Sequence, residues 1–188
     1  SRGKQAIMLV PEISLTPQMV QKFRSLFGEQ VAVMHSSLSL GERMDEWKRI
    51  RRGEAKIVVG TRSAVFAPLE QIGIIIIDEE GEYSYKSDSA PRYHTREVAK
   101  LRCVIHGATL LLASATPSVD SYYYAKTGKY HLFELKERFT DAGLPDVYLI
   151  DMKDEERKHN HSGISGVLAD ELYYNLQHGE QSILLLNR

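Results

Sequence analysis

The run Ile72-Gly73-Ile74-Ile75-Ile76-Ile77-Asp78-Glu79-Glu80 decides the fold. Consecutive isoleucines leave no polar alternate for a wet face, so 72–78 reads as a strand buried on both sides, as in a parallel sheet covered by helices. The strand stops in three carboxylates. In an open parallel sheet ligands bind beyond the carboxyl ends of the strands, so all three acids are expected to face a crevice. The plainer alternative is a buried strand that ends in a solvated acidic turn.

Further short apolar runs at 6–10, 31–34, 56–60 and 109–113 predict strands, with amphipathic stretches between them. That alternation predicts an α/β fold built of β-α units on a mostly parallel sheet, its strands buried on both faces. Thr16-Pro17 opens a helix on which Met19, Phe23, Leu26 and Phe27 recur until Gly28 stops it. Ser39-Leu40-Gly41-Glu42 matches a capping box, and Met44, Trp47 and Ile50 mark the inner face of the helix that follows, up to Gly53. A third helix is expected over 95–105, apolar at Val98, Leu101, Val104 and Ile105 and stopped by Gly107. A fourth is expected over 117–126, with Pro117 at its first position. Residues 130–135 read as strand-like, and a linker of charged and turn residues follows. Beyond it the pattern predicts a strand at 147–151, a mobile polar stretch at 153–165 holding His159 and His161, a helix at 167–178 and a terminal strand from 183.

The 188 residues are 43% hydrophobic and 26% charged, an ordinary globular composition large enough for one good core. With 24 Lys and Arg against 25 Asp and Glu the net charge is -1, so any nucleic-acid binding must come from local patches. The single cysteine, Cys103, excludes a disulfide framework and a cysteine-based zinc site within the chain, and reads as a small buried apolar residue. The histidines lack metal-ligand spacing. No run approaches the roughly 18 apolar residues of a membrane span and the N-terminus lacks a signal-peptide core, so a cytoplasmic protein is expected. The missing initiating Met and the apolar last residues lead to the expectation of a piece cut at both ends from a longer chain.

Adjacent acids such as Asp78 and Glu79 suit nucleoside triphosphate hydrolysis: one carboxylate holds hydrated Mg2+, and the next orients or deprotonates the attacking water. Ser114-Ala115-Thr116-Pro117 follows the next apolar strand. Its hydroxyls would sense the phosphate end of a nucleotide, or serve only as helix caps. Val58-Val59-Gly60-Thr61-Arg62-Ser63-Ala64 and Leu9-Val10-Pro11-Glu12-Ile13-Ser14-Leu15-Thr16-Pro17-Gln18 share one layout, a strand running into small polar residues. That layout suits a grip on sugar-phosphate backbone, or an ordinary β-α turn. Tyr83-Ser84-Tyr85-Lys86 and Arg92-Tyr93-His94 gather aromatics and cations in one loop directly after the acids. Aromatic faces stack on bases and cations follow phosphates, unless the tyrosines only pack on the surface. Arg43, Lys48, Arg49, Arg51, Arg52 and Lys56 are interleaved with acids and read as a solvated helix face.

These segments stand in the order and rough spacing of helicase motifs Ia, Ib, II and III. The strings Pro11-Glu12-Ile13-Ser14-Leu15-Thr16, Gly60-Thr61-Arg62-Ser63-Ala64-Val65-Phe66-Ala67-Pro68, Asp78-Glu79-Glu80, Ser84-Tyr85-Lys86, Pro91-Arg92-Tyr93-His94 and Ala115-Thr116-Pro117-Ser118 resemble the primosomal protein N-prime family. These are the PriA-type replication restart helicases of superfamily 2, and the resemblance covers nearly the whole chain. It implies a RecA-like parallel sheet with flanking helices: a first motor lobe lacking its phosphate-loop start over 1–135, a linker at 136–146 and the beginning of the second lobe over 147–188. It further implies an ATP-dependent DNA helicase moving 3′ to 5′ in replication restart and primosome assembly. Single-stranded or forked DNA, primosome proteins and single-strand-binding proteins would be its partners.

On that resemblance Asp78 would bind Mg2+ through water and Glu79 would activate the attacking water. Glu80, Ser114 and Thr116 would couple nucleotide state to lobe movement. Thr61, Arg62, Ser63, Tyr83, Tyr85, Lys86, Arg92, Tyr93 and His94 would meet DNA, and Tyr122, Tyr123 and Tyr124 would pack between lobes or on the linker. ATP and Mg2+ are the implied cofactors, with zinc bound only in the longer parent, outside this chain.

Two departures qualify the resemblance. No Gly-x-x-x-x-Gly-Lys-Ser/Thr occurs, so the phosphate cradle of such motors is missing and the chain alone is expected not to hydrolyse ATP. Gly81 stands where the family usually has His after the three acids, which leaves the route of coupling open. The rival readings are a DNA- or protein-binding module without a motor and another superfamily 2 translocase.

Overall fold

The computed structural model describes residues 3–137, 145–157, 160 and 162–185, and the chain divides into two compact units, Ser1–Phe133 and Glu134–Arg188. The first is built on β1 (Gln5–Leu9), β2 (Val31–Met34), β3 (Ile57–Gly60), β4 (Ile72–Ile77) and β5 (Thr109–Leu112), in the order β2-β3-β1-β4-β5. All pairings are parallel, with Ile7 set between Val58 and Ile75 and Leu9 between Gly60 and Ile77. Around the sheet run α1 (Pro17–Phe27), α2 (Leu40–Arg51), α3 (Thr95–His106) and α4 (Val119–Lys126). This is the parallel, helix-flanked sheet that the apolar runs predict.

Strand side chains alternate between faces. Ile7, Leu9, Val58, Ile75 and Ile77 join Ile50 of α2 and Ala99 and Cys103 of α3 in the main core, while Met8, Ile57 and Val59 meet Val20 and Phe23 of α1 on the other face. Each fully buried isoleucine contributes roughly 1.5–3 kcal/mol. Burial on both faces fails at β5, where Thr109 is exposed and Leu111 is 42% exposed. Among the described residues β5 is the outermost strand beside β4, so it has one neighbour where a central strand has two.

The capping box of α2 forms as expected: the Glu42 amide donates to Ser39 Oγ at 3.3 Å and the Ser39 amide to Glu42 Oε2 at 2.8 Å. Two helix faces and one helix start differ from expectation. In α2 Ile50 is buried, while Met44 and Trp47 stay 47% and 37% exposed. On α3 the buried stripe is Thr95, Ala99 and Cys103, and Leu101, Val104 and Ile105 point outward. Small side chains let that helix lie close on β4, which an apolarity count cannot reveal. Cys103 itself is buried as expected. α4 starts at Val119 because Ser118 accepts from the Ser121 amide, so the cap is Ser118 and neither Ser114 nor Thr116.

Residues 130–135 form no strand. Tyr130 instead packs edge-on against Tyr124 at 5.4 Å, with Lys100 over both rings, so Tyr124 is held within the first unit. The basic helix face carries side-chain pairs, Arg49 with Glu46 and Lys48 with Asp45, as its interleaved charges predict.

In the second unit α5 (Met152–Arg157) and α6 (Gly166–His178) are the regular elements described. The apolar runs 147–151 and 183–185 are not strands; a strand needs a partner ladder for its amides and carbonyls, and none is present among the described residues. The polar stretch expected to be mobile is partly helical and partly tied down, for the Glu155 carboxylate accepts from the Gly166 amide at 2.7 Å and from Asn160 Nδ2 at 3.0 Å. His159, His161, most of the linker (138–144) and residues 186–188 lie outside the described residues. Among those described, no helix is long and apolar enough to cross a membrane.

Candidate functional site

Strand β4 delivers its acids to the edge of the sheet. The Asp78 amide still donates to Leu9 O at 2.9 Å, continuing the β1 pairing, and the chain then turns. Glu79 takes a left-handed backbone (φ 47), uncommon for a residue with a side chain and costing of order 1–3 kcal/mol. Its amide donates to Asp78 Oδ1 at 3.1 Å. Beside it, the Ala113 amide donates to Ile77 O at 2.9 Å and the Glu80 amide to Ala113 O at 3.1 Å, which ties the ends of β4 and β5 together. Ser114 is thereby placed to donate through Oγ to Glu79 Oε2 at 3.0 Å, while the Thr116 amide donates to Ser114 Oγ at 3.0 Å. The sequence-predicted Asp78, Glu79, Ser114 and Thr116 thus converge at one pair of strand ends.

Glu80 does not face the crevice with the other two acids. It is 3% exposed and accepts from Arg96 Nη1 at 3.0 Å, from the Ser118 amide at 2.7 Å, and from the hydroxyls of Ser118 and Ser121 at 3.2 and 3.0 Å. Burial pushes its carboxyl up, but the Ser118 amide and hydroxyl, the Ser121 hydroxyl and Arg96 together hold it below the usual carboxylate range. The left-handed turn at Glu79 reverses the chain, so successive acids cannot share one exposure. Gly81 follows with its Cα backed onto the next segment: a Cβ there would lie 2.9 Å from Thr116 O.

The aromatic and basic loop adjoins these acids. Tyr83 is 67% exposed, with Lys86 Nζ 5.8 Å from its ring centre, whereas Tyr85 is 1% exposed. That burial corrects the expectation for Tyr85, since its ring offers no face to a base. Its hydroxyl donates to Asp78 O at 2.7 Å and its carbonyl accepts from Thr95 Oγ1 at 2.9 Å, linking the loop to the acids. Burial, and then the charges of Asp78, Glu79 and Glu82, keep the phenol protonated well above its ordinary range. Lys86, Ser87, Asp88, Arg92, Tyr93 and His94 line a cleft of about 530 Å³. Tyr93 meets Phe66 edge-on at 5.0 Å. His94 caps α3 by accepting from the Arg96 amide at 3.2 Å, and burial, then Arg96, hold its pKa down.

At the end of β3, Thr61 is 3% exposed, so its side chain is not presented to a ligand, while Ser63 is exposed. Arg62 Nη1 donates to Ser84 O at 3.2 Å and Lys86 O at 2.6 Å and so joins this turn to the aromatic loop. Among the described residues no cluster of His, Cys, Asp or Glu could hold a metal alone. A half-exposed Asp78 carboxylate nonetheless suits Mg2+, which keeps several waters and takes one or two carboxylates together with substrate phosphates.

Arg96 and Ser121 belong to no motif read from the sequence, and Ser118 ends the Ala115–Ser118 string without a role assigned to it. One signal pointed to Arg96: a cation in the first turn of a helix opposes the helix dipole and implies an acidic partner.

Residues 1–123 match the DEAD/DEAH box helicase family. The chain belongs to that family. Replication restart protein PriA of Bacillus subtilis is 52% identical over 188 residues, covering 100% of this chain and 23% of its own length. The proteins of that name from Synechocystis and Treponema pallidum are each 42% identical across 100% of this chain, over 23% and 28% of their own lengths. The likeness to replication restart proteins therefore runs the whole length of the chain, and the chain spans 23% to 28% of these relatives. Among solved structures, the C-terminal domain of the DEAD-box protein Dbp5 aligns with 68% of this chain and 72% of its own, at 17% identity and a TM-score of 0.47.

Proposed function

We propose that this chain is most of the first motor lobe, the linker and the start of the second lobe of an ATP-dependent DNA helicase that works 3′ to 5′ in replication restart. The observation that carries the reading is the Ser114–Glu79 hydrogen bond across two strand ends, with Glu79 in a strained turn beside the half-exposed Asp78. A catalytic carboxylate and a hydroxyl on a separate turn, joined directly, supply a link between hydrolysis and movement. Asp78 would hold Mg2+ through water, and the bound ion would neutralise charge on the phosphate oxygens. Glu79 orients the attacking water and accepts its proton, and Ser114 sets the aim of that carboxylate. Thr116 follows Ser114 because its amide is bonded to that hydroxyl.

Tyr83, Lys86, Arg92 and Tyr93, with Arg62 and Ser63 beside them, form the surface for single-stranded or forked DNA. Tyr83 stacks on bases and the cations meet phosphates. Thr61, His94 and Tyr85 support that surface from beneath. The chain carries no phosphate-loop motif, and the edge of β5, unpaired among the described residues, and its half-open face are where a further strand carrying that loop would pair in the longer protein. Primosome and single-strand-binding partners, a zinc site outside this chain and a cytoplasmic setting complete the reading.

ATP turnover of the 188-residue chain and of the full-length protein, each with Mg2+ and with or without single-stranded DNA, tests it. The expected result is no turnover by the chain and DNA-stimulated turnover by the full-length protein. Appreciable hydrolysis by the chain, or none by the full-length protein, would sink the reading.

A further inference from the structure

Arg96 occupies the first turn of α3, where the helix dipole opposes a cation, and is 8% exposed. Its Nη1 meets Glu80 Oε2 at 3.0 Å, Ser118 Oγ at 2.7 Å and Ser121 Oγ at 2.8 Å. Nη2 lies 3.7 Å from Asp120 Oδ2, and Nε lies 3.5 Å from Glu97 Oε1, near enough for charge attraction though without hydrogen-bond geometry. Both serine hydroxyls also donate to Glu80. A buried ion pair with these extra bonds is stiff, because losing one partner leaves the other charge uncompensated.

The pair ties together three segments with separate duties. Glu80 directly follows Glu79. Arg96 stands two residues beyond His94, the last residue of the aromatic and basic loop. Ser118 and Ser121 open α4, immediately after the Ser114–Thr116 turn. Gly81, packed against Thr116 O, holds the first and third of these in contact.

Resting on the motor reading above, we propose that Arg96 is a positioning residue: with Glu80 it forms the joint through which the DNA-facing loop and the Ser114 turn move as one body. DNA on the loop then alters the Ser114–Glu79 geometry, and the joint makes ATP hydrolysis respond to DNA. Arg96 touches neither nucleotide nor DNA in this scheme.

The test uses the full-length protein and measures ATP turnover with and without a single-stranded oligonucleotide for wild type, Arg96→Gln, Arg96→Lys and Ser121→Ala. DNA stimulation should fall about tenfold in Arg96→Gln and roughly threefold in Ser121→Ala, with part of the loss recovered in Arg96→Lys. Turnover without DNA, and the oligonucleotide concentration giving half of the stimulation, should stay at wild-type values. A purely structural role would lower both turnovers together, and that outcome, or full stimulation in Arg96→Gln and Ser121→Ala, overturns the joint. Should Arg96→Gln not fold, Ser121→Ala decides alone. A wild-type protein whose turnover ignores DNA overturns the motor reading and the joint with it, whereas a stimulated wild type with stimulated variants overturns only the joint.

Discussion

Replacing Gly81 by Ala is expected to destabilise the first unit and disturb the turn that carries Ser114. A Cβ at this position would lie 2.9 Å from the Thr116 carbonyl oxygen and 3.4 Å from the Ser118 nitrogen. Both are backbone atoms, so neither can swing away as a flexible side chain would. The Ser118 amide also donates to Glu80 Oε1 at 2.7 Å, so moving the turn strains the buried ion pair. Overpacking of this kind costs about 1–3 kcal/mol. Against it, Ala restricts the unfolded chain and stabilises by about 0.4–1 kcal/mol. At the middle of both ranges the steric effect wins, leaving a net loss of about 1 kcal/mol. Gly41 is the control: it sits in the first turn of α2 with nothing within 4 Å, so Gly41→Ala should stabilise by up to about 1 kcal/mol. Urea unfolding of the 188-residue chain, followed by circular dichroism, should show the midpoint falling for Gly81→Ala and rising for Gly41→Ala at constant slope. Equal midpoints, or a rise in both, would refute the contact argument.

Other outcomes follow from the same contacts. Tyr83→Ala in the full-length protein should weaken single-stranded DNA binding by about 1–3 kcal/mol, read by fluorescence anisotropy. Tyr85→Phe should leave that affinity unchanged while costing about 1 kcal/mol of stability, because Asp78 O loses its donor; weakened binding in Tyr85→Phe would count against the burial argument. Glu80 keeps its charge to lower pH in the fold than in the unfolded chain, whose carboxylates titrate near about pH 4.3. Its contribution is therefore present above about pH 4.3 and lost as pH falls through the lower folded value, so Glu80→Gln should flatten acid unfolding in that window. An unchanged acid slope would exclude the role. Ser39→Ala should cost about 1 kcal/mol by removing the α2 cap, seen as a lowered urea midpoint.

Much of the fold was legible because it rests on local rules. Unbroken apolar runs predicted the strands of the sheet to within a residue or two, and the Ser39–Glu42 box marked the start of α2. Legibility failed where an element depends on what lies beside it. The runs 147–151 and 183–185 carry strand-like residues, yet without a partner ladder they pair with nothing among the described residues. Apolar counts also chose the wrong stripe of α3, because close helix-to-strand approach favours Ala99 and Cys103 over larger Leu101 and Ile105.

The sequence by itself determined which residues end the strands, and so placed Asp78, Glu79 and Ser114 at the carboxyl ends of parallel strands, because apolar runs and side-chain periodicity are local properties of the chain; that β5 lies beside β4 was decided by the sheet. Only the tertiary structure decided how those groups divide their work. A left-handed Glu79 turns Glu80 inward onto Arg96, and burial converts Tyr85 from a candidate base-stacker into a strut under Asp78. Those assignments depend on contacts between residues 7 to 41 positions apart, where packing, hydrogen bonding and desolvation act together and no pattern along the chain encodes the outcome.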